Sequence, residues 1–146
     1  MDNINIRSLK NDDISQLSIL FKDFWNEESN LQKMSKIFKV LNNSENYILL
    51  CAVNNNKLLG YVMGIICYSL YGNCEPFLVV EDMIIDKKYR SKGIGKKLFF
   101  ELEGIAKSKG CNQIILVTEE DRINAAIFYE KLGFKADKHR GYKKKL

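Results

Sequence analysis

At 146 residues the chain has the length of one domain, enough to bury a core without help from disulfides or metal. Hydrophobic residues make up 46% and charged residues 28%, with a single proline, which excludes a disordered or low-complexity polypeptide. The net charge of +5 gathers in two patches suited to an anion: Lys87, Lys88, Arg90, Lys92, Lys96 and Lys97, then Lys135, Lys138, Arg140, Lys143, Lys144 and Lys145.

INIRSL alternates as a strand does, and Asn11 or Asp12 is placed to cap a helix with apolar positions Ile14, Leu17, Leu20, Phe21 and Phe24. After the loop WNEESN a second helical pattern runs through Leu31, Met34, Ile37, Phe38 and Leu41. YILLCAV and KLLGYVMGIICYSL read as a hairpin about NNNK, and FLVVEDMIID as a further strand after YGNCEP. From Gly95 the pattern is helical through Leu98, Phe99, Leu102 and Ile105, with a stop at Lys109-Gly110. QIILVT is a short buried strand and Asn124 to Leu132 a short helix. The final extended pieces begin at Gly133-Phe134 and end in GYKKKL. The order β-α-α-β-β-β-α-β-α-β-β predicts an α/β (α+β) protein with a mixed, mostly antiparallel sheet of about seven strands and about four helices. One domain over residues 1–146 is the expectation.

The first ten residues lack the apolar core of a signal peptide, and no run approaches the roughly 18 apolar residues of a membrane span, so a cytoplasmic location is expected. Cys51, Cys67, Cys74 and Cys111 form no CxxC pair and the single histidine, His139, is distant in sequence. Reduced thiols are therefore expected, and neither a metal centre nor a disulfide framework.

The segment YRSKGIGKKL carries the first chemical signal. Where a strand feeds a helix through glycines, the first helical amides point outward at the positive end of the helix dipole. Gly93 and Gly95 remove side chains that would keep a pyrophosphate from the backbone, while Arg90, Lys92 and Lys96 add positive charge. The pattern is neither a Walker loop nor the dinucleotide fingerprint GxGxxG.

With its flanks, IIDKKYRSKGIGKKLF resembles the acetyl-CoA signature of the GNAT superfamily of N-acetyltransferases: Arg or Gln, two residues, Gly, any residue, Gly or Ala. NAAIFYEKLGF, Asn124 to Phe134, is similar to the later motif of that family, in which an asparagine opens a short helix with a tyrosine near its middle. The resemblance covers nearly the whole chain in its order of elements. VEDMIIDKKYRSKGIG looks closest to members acting on small amines, including the spermidine/spermine and thialysine acetyltransferases, and similar Glu-Asp pairs occur in glucosamine 6-phosphate members.

The resemblance implies an acetyl-CoA-dependent enzyme without metal. Its pyrophosphate would rest on Ser91, Lys92, Gly93, Ile94, Gly95 and Lys96 beside Arg90, and its pantetheine would lie along Met83, Ile84 and Ile85, with Asn124, Phe128 and Tyr129 also at the cofactor. Family members usually have a bulge in the strand before the turn, which aims an amide at the thioester oxygen. Asn124 is alternatively a helix cap. The resemblance assigns Tyr129 as the acid at the departing sulfur. A phenol of ordinary pKa about 10 giving a proton to a thiolate of about 8.5 works uphill by roughly 2 kcal/mol, so hydrogen bonding to the sulfur precedes transfer.

The acceptor amine presents the reverse difficulty. With a pKa of about 10.4, about one molecule in 2,500 is uncharged at pH 7, so a base is useful. Glu81 is the candidate, and Asp82 faces the other way if the strand is regular. Phe24 and Trp25, with Glu27, Glu28, Glu81 and Asp82, are candidates for an acceptor site that encloses an alkyl chain and attracts a cation; His139, Arg140 and Tyr142 lie where the last hairpin could close over the acceptor, although a lone histidine in a basic run is more often a surface residue. The expected partner is a small-molecule amine, with neither nucleic acid nor membrane expected and a homodimer left open. An acetyl-CoA sensor without turnover, or acetylation of protein amino termini or lysines, is the alternative.

Overall fold

The computed structural model describes residues 3–146, and its chain divides into two compact units, Met1–Ile115 and Leu116–Leu146. The elements are β1 (Asn5–Ser8), α1 (Ile14–Trp25), α2 (Leu31–Asn42), β2 (Tyr47–Asn54), β3 (Lys57–Cys67), β4 (Phe77–Ile85), α3 (Ile94–Ser108), β5 (Ile114–Leu116) and α4 (Ile123–Lys131). The five strands form one sheet in the order β1-β2-β3-β4-β5. The first four pair antiparallel, while β4 and β5 are joined through α3, a crossover that makes the sheet mixed.

Each boundary has a local cause. The β2–β3 hairpin turns on Asn55 and Asn56, whose φ values of 46° and 63° are the left-handed pair of a two-residue primed turn. Asn30 caps α2 by accepting from the Lys33 amide at 2.9 Å. Neither Asn11 nor Asp12 caps α1. A single 3-10 turn, Asn11–Asp13, comes first, and the Asp13 carboxylate accepts from the Lys10 amide at 2.8 Å instead. α3 stops at Gly110 (φ 77°), where the Cys111 amide returns to the Ala106 carbonyl at 3.0 Å.

Residues Ile48 to Val53 of β2 are all buried, which a strand achieves only when both sheet faces are covered. On one face Leu17, Leu20 and Phe38 of α1 and α2 pack with Leu49, Cys51, Val53 and Tyr61. On the other, α3 comes so close that a Cβ added to Gly64 would lie 2.6 Å from Leu102 Cδ1. A larger residue there would displace the ends of Leu102 and Leu78. Arg7 and Asp13 pair through two contacts, Nη1–Oδ2 at 2.7 Å and Nη2–Oδ1 at 2.9 Å, and this bidentate bond holds the Asp13 carboxyl below the usual carboxylate range. Burial raises the neighbouring Cys51 thiol to about 11, so it is a packing group.

The strand count falls short of the seven expected. Beyond α4 no described residue is in a strand, so the two final extended pieces are absent as strands. FKADKHRGYKKKL offers no alternating apolar face, and its close-set lysines repel along an extended chain. No helix among the described residues is long and apolar enough to cross a membrane.

Candidate active site

β4 is interrupted in its middle. Tyr61 stands opposite Ile84 and Met63 opposite Glu81, so two residues of β4, Asp82 and Met83, face the single Val62 of β3. That is a β-bulge, and Asp82 accommodates it with φ at 55°, a left-handed conformation that aspartate tolerates better than most residues. The bulge also changes which face later residues take. Leu78 meets Gly64 on the α3 side, whereas Ile84, which a regular strand would place on that same side, packs with Leu17, Leu20 and Tyr61.

The expectation that Glu81 and Asp82 face apart rested on a regular strand, and the strand is not regular there. Glu81 is exposed. Asp82 is half-buried, and burial first and the Glu81 charge second push its carboxyl above the ordinary range. The Tyr61 hydroxyl is pushed up in turn by burial and by Asp82. Tyr61 was not among the candidates from sequence; no local pattern distinguishes it from an ordinary strand tyrosine.

These shifts fix a sign. A carboxyl whose folded pKa exceeds its unfolded value disfavours folding once pH rises past the ordinary carboxylate range, and costs nothing where both states are protonated. Asp82→Asn keeps a residue that tolerates the left-handed backbone and removes the charge. It should raise Tm at pH 7, with the gain gone near pH 3 where both states are protonated. Thermal unfolding at both pH values checks this, and a lower Tm at pH 7 contradicts it.

Past β4 the chain makes a 3-10 turn at Lys87–Tyr89, with Asp86 Oδ1 accepting from the Lys88 amide at 2.9 Å. Lys57 braces it, 3.6 Å from Asp86 Oδ2 and 4.7 Å from the Tyr89 ring centre. Ser91 (φ 59°) and Gly93 (φ 79°) then reverse the chain into α3. The first backbone bond of that helix runs from the Lys97 amide to the Gly93 carbonyl at 3.1 Å, and the amides of Ile94, Gly95 and Lys96 lie ahead of it. A Cβ on Gly93 would meet nothing within 4 Å beyond its chain neighbours, so the space in front of it is open. Lys92 and Lys96 are exposed beside it. Outward amides, the positive end of a 15-residue helix and two exposed cations together fit a pyrophosphate.

Arg90 is turned away from the helix. Its Nε donates to the Ile85 carbonyl at 3.1 Å, and its guanidinium carbon lies 5.4 Å from the ring centre of Phe24 on α1. Phe24 in turn meets Trp25 edge-on at 4.7 Å, and Trp25 meets Phe21 at 5.4 Å. Phe21 stands edge-on to Tyr61 at 5.9 Å. An aromatic wall thus runs from Arg90 to the bulge, with Trp25 half-exposed. Glu28 is ion-paired with Lys22, which partly offsets its pull on an incoming cation, while Glu27 is exposed.

In the second unit α4 carries Asn124, Phe128 and Tyr129. Arg122, not Asn124, occupies the cap position; Asn124 is the helix's second residue and exposed, so its cap reading is corrected. Two backbone bonds, from the Ala125 and Ala126 amides to the Arg122 carbonyl, start the helix one residue earlier than expected. Tyr129 is half-buried, its ring edge-on to Phe128 at 5.2 Å and to Phe134 at 5.7 Å. The Phe134 amide donates to the Tyr129 carbonyl at 3.1 Å, closing the helix end around the ring. His139, Arg140 and Tyr142 are exposed, and Lys143 pairs with Glu119 at 2.8 Å.

A sequence model described as the acetyltransferase (GNAT) family matches residues 13–134. The chain belongs to that family. Members of the GNAT family are acetyl-CoA-dependent N-acetyltransferases, in line with the enzyme class expected from the glycine turn. Three relatives described as glucosamine 6-phosphate N-acetyltransferases match this GNAT chain. The one from Trypanosoma brucei brucei is 46% identical over 57 residues, 39% of this chain and 37% of its own length. The one from Dictyostelium discoideum is 28% identical over 140 residues, 91% of this chain and 85% of its own length. A thialysine N-epsilon-acetyltransferase from Bos taurus is 30% identical over 76 residues, 52% of this chain and 44% of its own length. Among solved structures, a transcriptional regulator from Bacillus halodurans C-125 superposes with a TM-score of 0.91 at 26% identity, over 99% of this chain and 100% of that one.

Proposed function

We propose that this GNAT protein moves an acetyl group directly from acetyl-CoA to the primary amine of a small, cationic molecule. The observation that carries the reading is the bulge at Asp82 and Met83, which interrupts the sheet beside a turn built for a pyrophosphate. Bound acetyl-CoA supplies the activated acyl group.

The chain's own groups then have distinct tasks. The amides of Ile94, Gly95 and Lys96 hold the diphosphate, with Lys92 and Lys96 neutralising it. The backbone around Met83 to Ile85 pairs with the amides of the pantetheine arm, and a bulge amide donates to the thioester oxygen. Glu81 takes a proton from the acceptor ammonium. Tyr129 donates its hydroxyl to the departing sulfur, with Asn124 binding the arm. No cysteine serves as a nucleophile in this scheme: Cys51 is buried and its thiol is held in the neutral form.

Charge on the acceptor side selects among amines. Glu81 and Asp82 repel each other across the bulge, and the loop after α1 adds Glu27 and Glu28, the latter paired with Lys22. A cation relieves that repulsion, whereas a phosphate adds to it. Lysine-like and polyamine-like amines therefore rank ahead of amino sugar phosphates, although three relatives carry glucosamine 6-phosphate in their names. Comparing kcat/KM for a diamine, a lysine analogue, glucosamine and glucosamine 6-phosphate tests the order. Preference for the phosphorylated sugar contradicts it, and turnover of none contradicts the reaction itself.

Glu81→Gln should lower kcat/KM roughly 100-fold near pH 7 and less as the pH approaches the acceptor's own pKa, because fewer molecules then need a base. A parallel pH profile in the variant would remove Glu81 from proton transfer.

A further inference from the structure

We infer that Phe24, the residue on α1 expected at the acceptor, is instead a positioning residue for the cofactor turn, acting through Arg90. The inference rests on the reading of that turn as the acetyl-CoA site. Its geometry is independent of it. The Arg90 side chain is held at two points: Nε donates to the Ile85 carbonyl at 3.1 Å, and the guanidinium carbon lies over the Phe24 ring, 5.4 Å from its centre. The first point ties Arg90 to the last residue of β4 and the second to the last turn of α1. With both in place, a side chain of many rotamers has one orientation, and the loop from Asp86 to Gly93 that it closes is stiffened.

The arrangement assigns the ring a task that packing alone does not require. A guanidinium over an aromatic face is attracted by the ring's quadrupole, and a lysine, whose donors all sit on one terminal nitrogen, would lose the Nε bond to Ile85 made while the charge lies over the ring. Phe24 is itself fixed edge-on by Trp25 at 4.7 Å. The turn that takes the diphosphate and the helix that borders the acceptor thus share one contact. Linkage then follows: a ligand that orders the turn also orders the end of α1, so cofactor and acceptor should each raise the other's affinity by the same factor.

A double-mutant cycle on acetyl-CoA affinity, measured by calorimetry without acceptor, tests the assignment. Phe24→Leu should weaken acetyl-CoA binding by about two- to fivefold in the native background, the range of an exposed cation–π pair. In an Arg90→Gln background the same change should have no further effect, and Phe24→Tyr, which keeps the ring, should bind as the native protein does. If Phe24→Leu does not fold, Phe24→Met replaces it, keeping volume without a ring. Equal losses from the Phe24 change in both backgrounds, or a change confined to acceptor KM, would overturn the assignment while leaving the acetyl-CoA site intact. Native protein that binds no acetyl-CoA would overturn the site and this inference with it.

Discussion

Tyr129→Phe is expected to lower kcat by roughly 100-fold while leaving acetyl-CoA affinity within a factor of about two. The substitution is clean because the ring, not the hydroxyl, makes the edge-on contacts to Phe128 and Phe134, and the backbone bond from Phe134 to Tyr129 survives it. A hydroxyl that donates to the sulfur only as charge builds there contributes to the transition state and little to the ground state. Its loss therefore falls on kcat. Steady-state rates with a saturating amine, together with acetyl-CoA titration, separate the two quantities. An unchanged kcat would take Tyr129 out of the chemistry, and equal losses in affinity and rate would make it a binding group.

Gly93→Val is expected to weaken acetyl-CoA by at least about tenfold, since a charge-assisted hydrogen bond from a backbone amide is worth about 1.5–3 kcal/mol. Two effects combine and can be told apart. At φ 79° a β-branched residue is strained, which lowers stability by roughly 1–3 kcal/mol. Apart from its chain neighbours nothing lies within 4 Å of the position its Cβ would take, so the side chain enters the open space assigned to the diphosphate. Gly93→Ala carries most of the strain with less bulk, so its Tm should fall nearly as far while its affinity falls less. Equal affinities for the two variants and the native protein would show that the glycine serves only the turn.

The parts of this structure that announce themselves in the sequence are those with a local physical cause. Asn55-Asn56 sits between two apolar runs, and asparagine is among the few residues that supply two left-handed conformations in succession. Gly93 and Gly95 beside a helical pattern likewise fix the start of α3 to within one residue. The bulge was less legible, because its cause is tertiary: Ile84 must join the α1 and α2 face while Leu78 stays on the other. The available hint was an aspartate in the middle of a strand, where aspartate is depleted. Its neighbour Tyr61 could be recognised only once β3 and β4 were paired. At the carboxyl end the error came from counting extended pieces as strands where FKADKHRGYKKKL has no apolar face to bury. Asn124 was displaced from the cap by one turn of bonding that begins at Arg122.

The aromatic wall shows the same division. Phe21, Phe24 and Trp25 are legible as the apolar end of a helix, but their edge-on chain to Tyr61 and the position of Arg90 over Phe24 arise from elements distant in sequence. Such contacts decide which candidate residue serves which substrate. The Glu81 and Asp82 pair is a further case, since its mutual repulsion depends on the backbone departure at Asp82 rather than on the two letters alone.

Direct transfer is the central claim, and release of the CoA thiol from acetyl-CoA, followed alongside acetylated product, tests it. With a cationic primary amine the two should appear in equal amounts, and without an amine neither should form beyond the spontaneous rate. Thiol released without acceptor, with acetyl retained on the protein, would contradict direct transfer, and acetyl-CoA that neither binds nor reacts would contradict the site at Gly93.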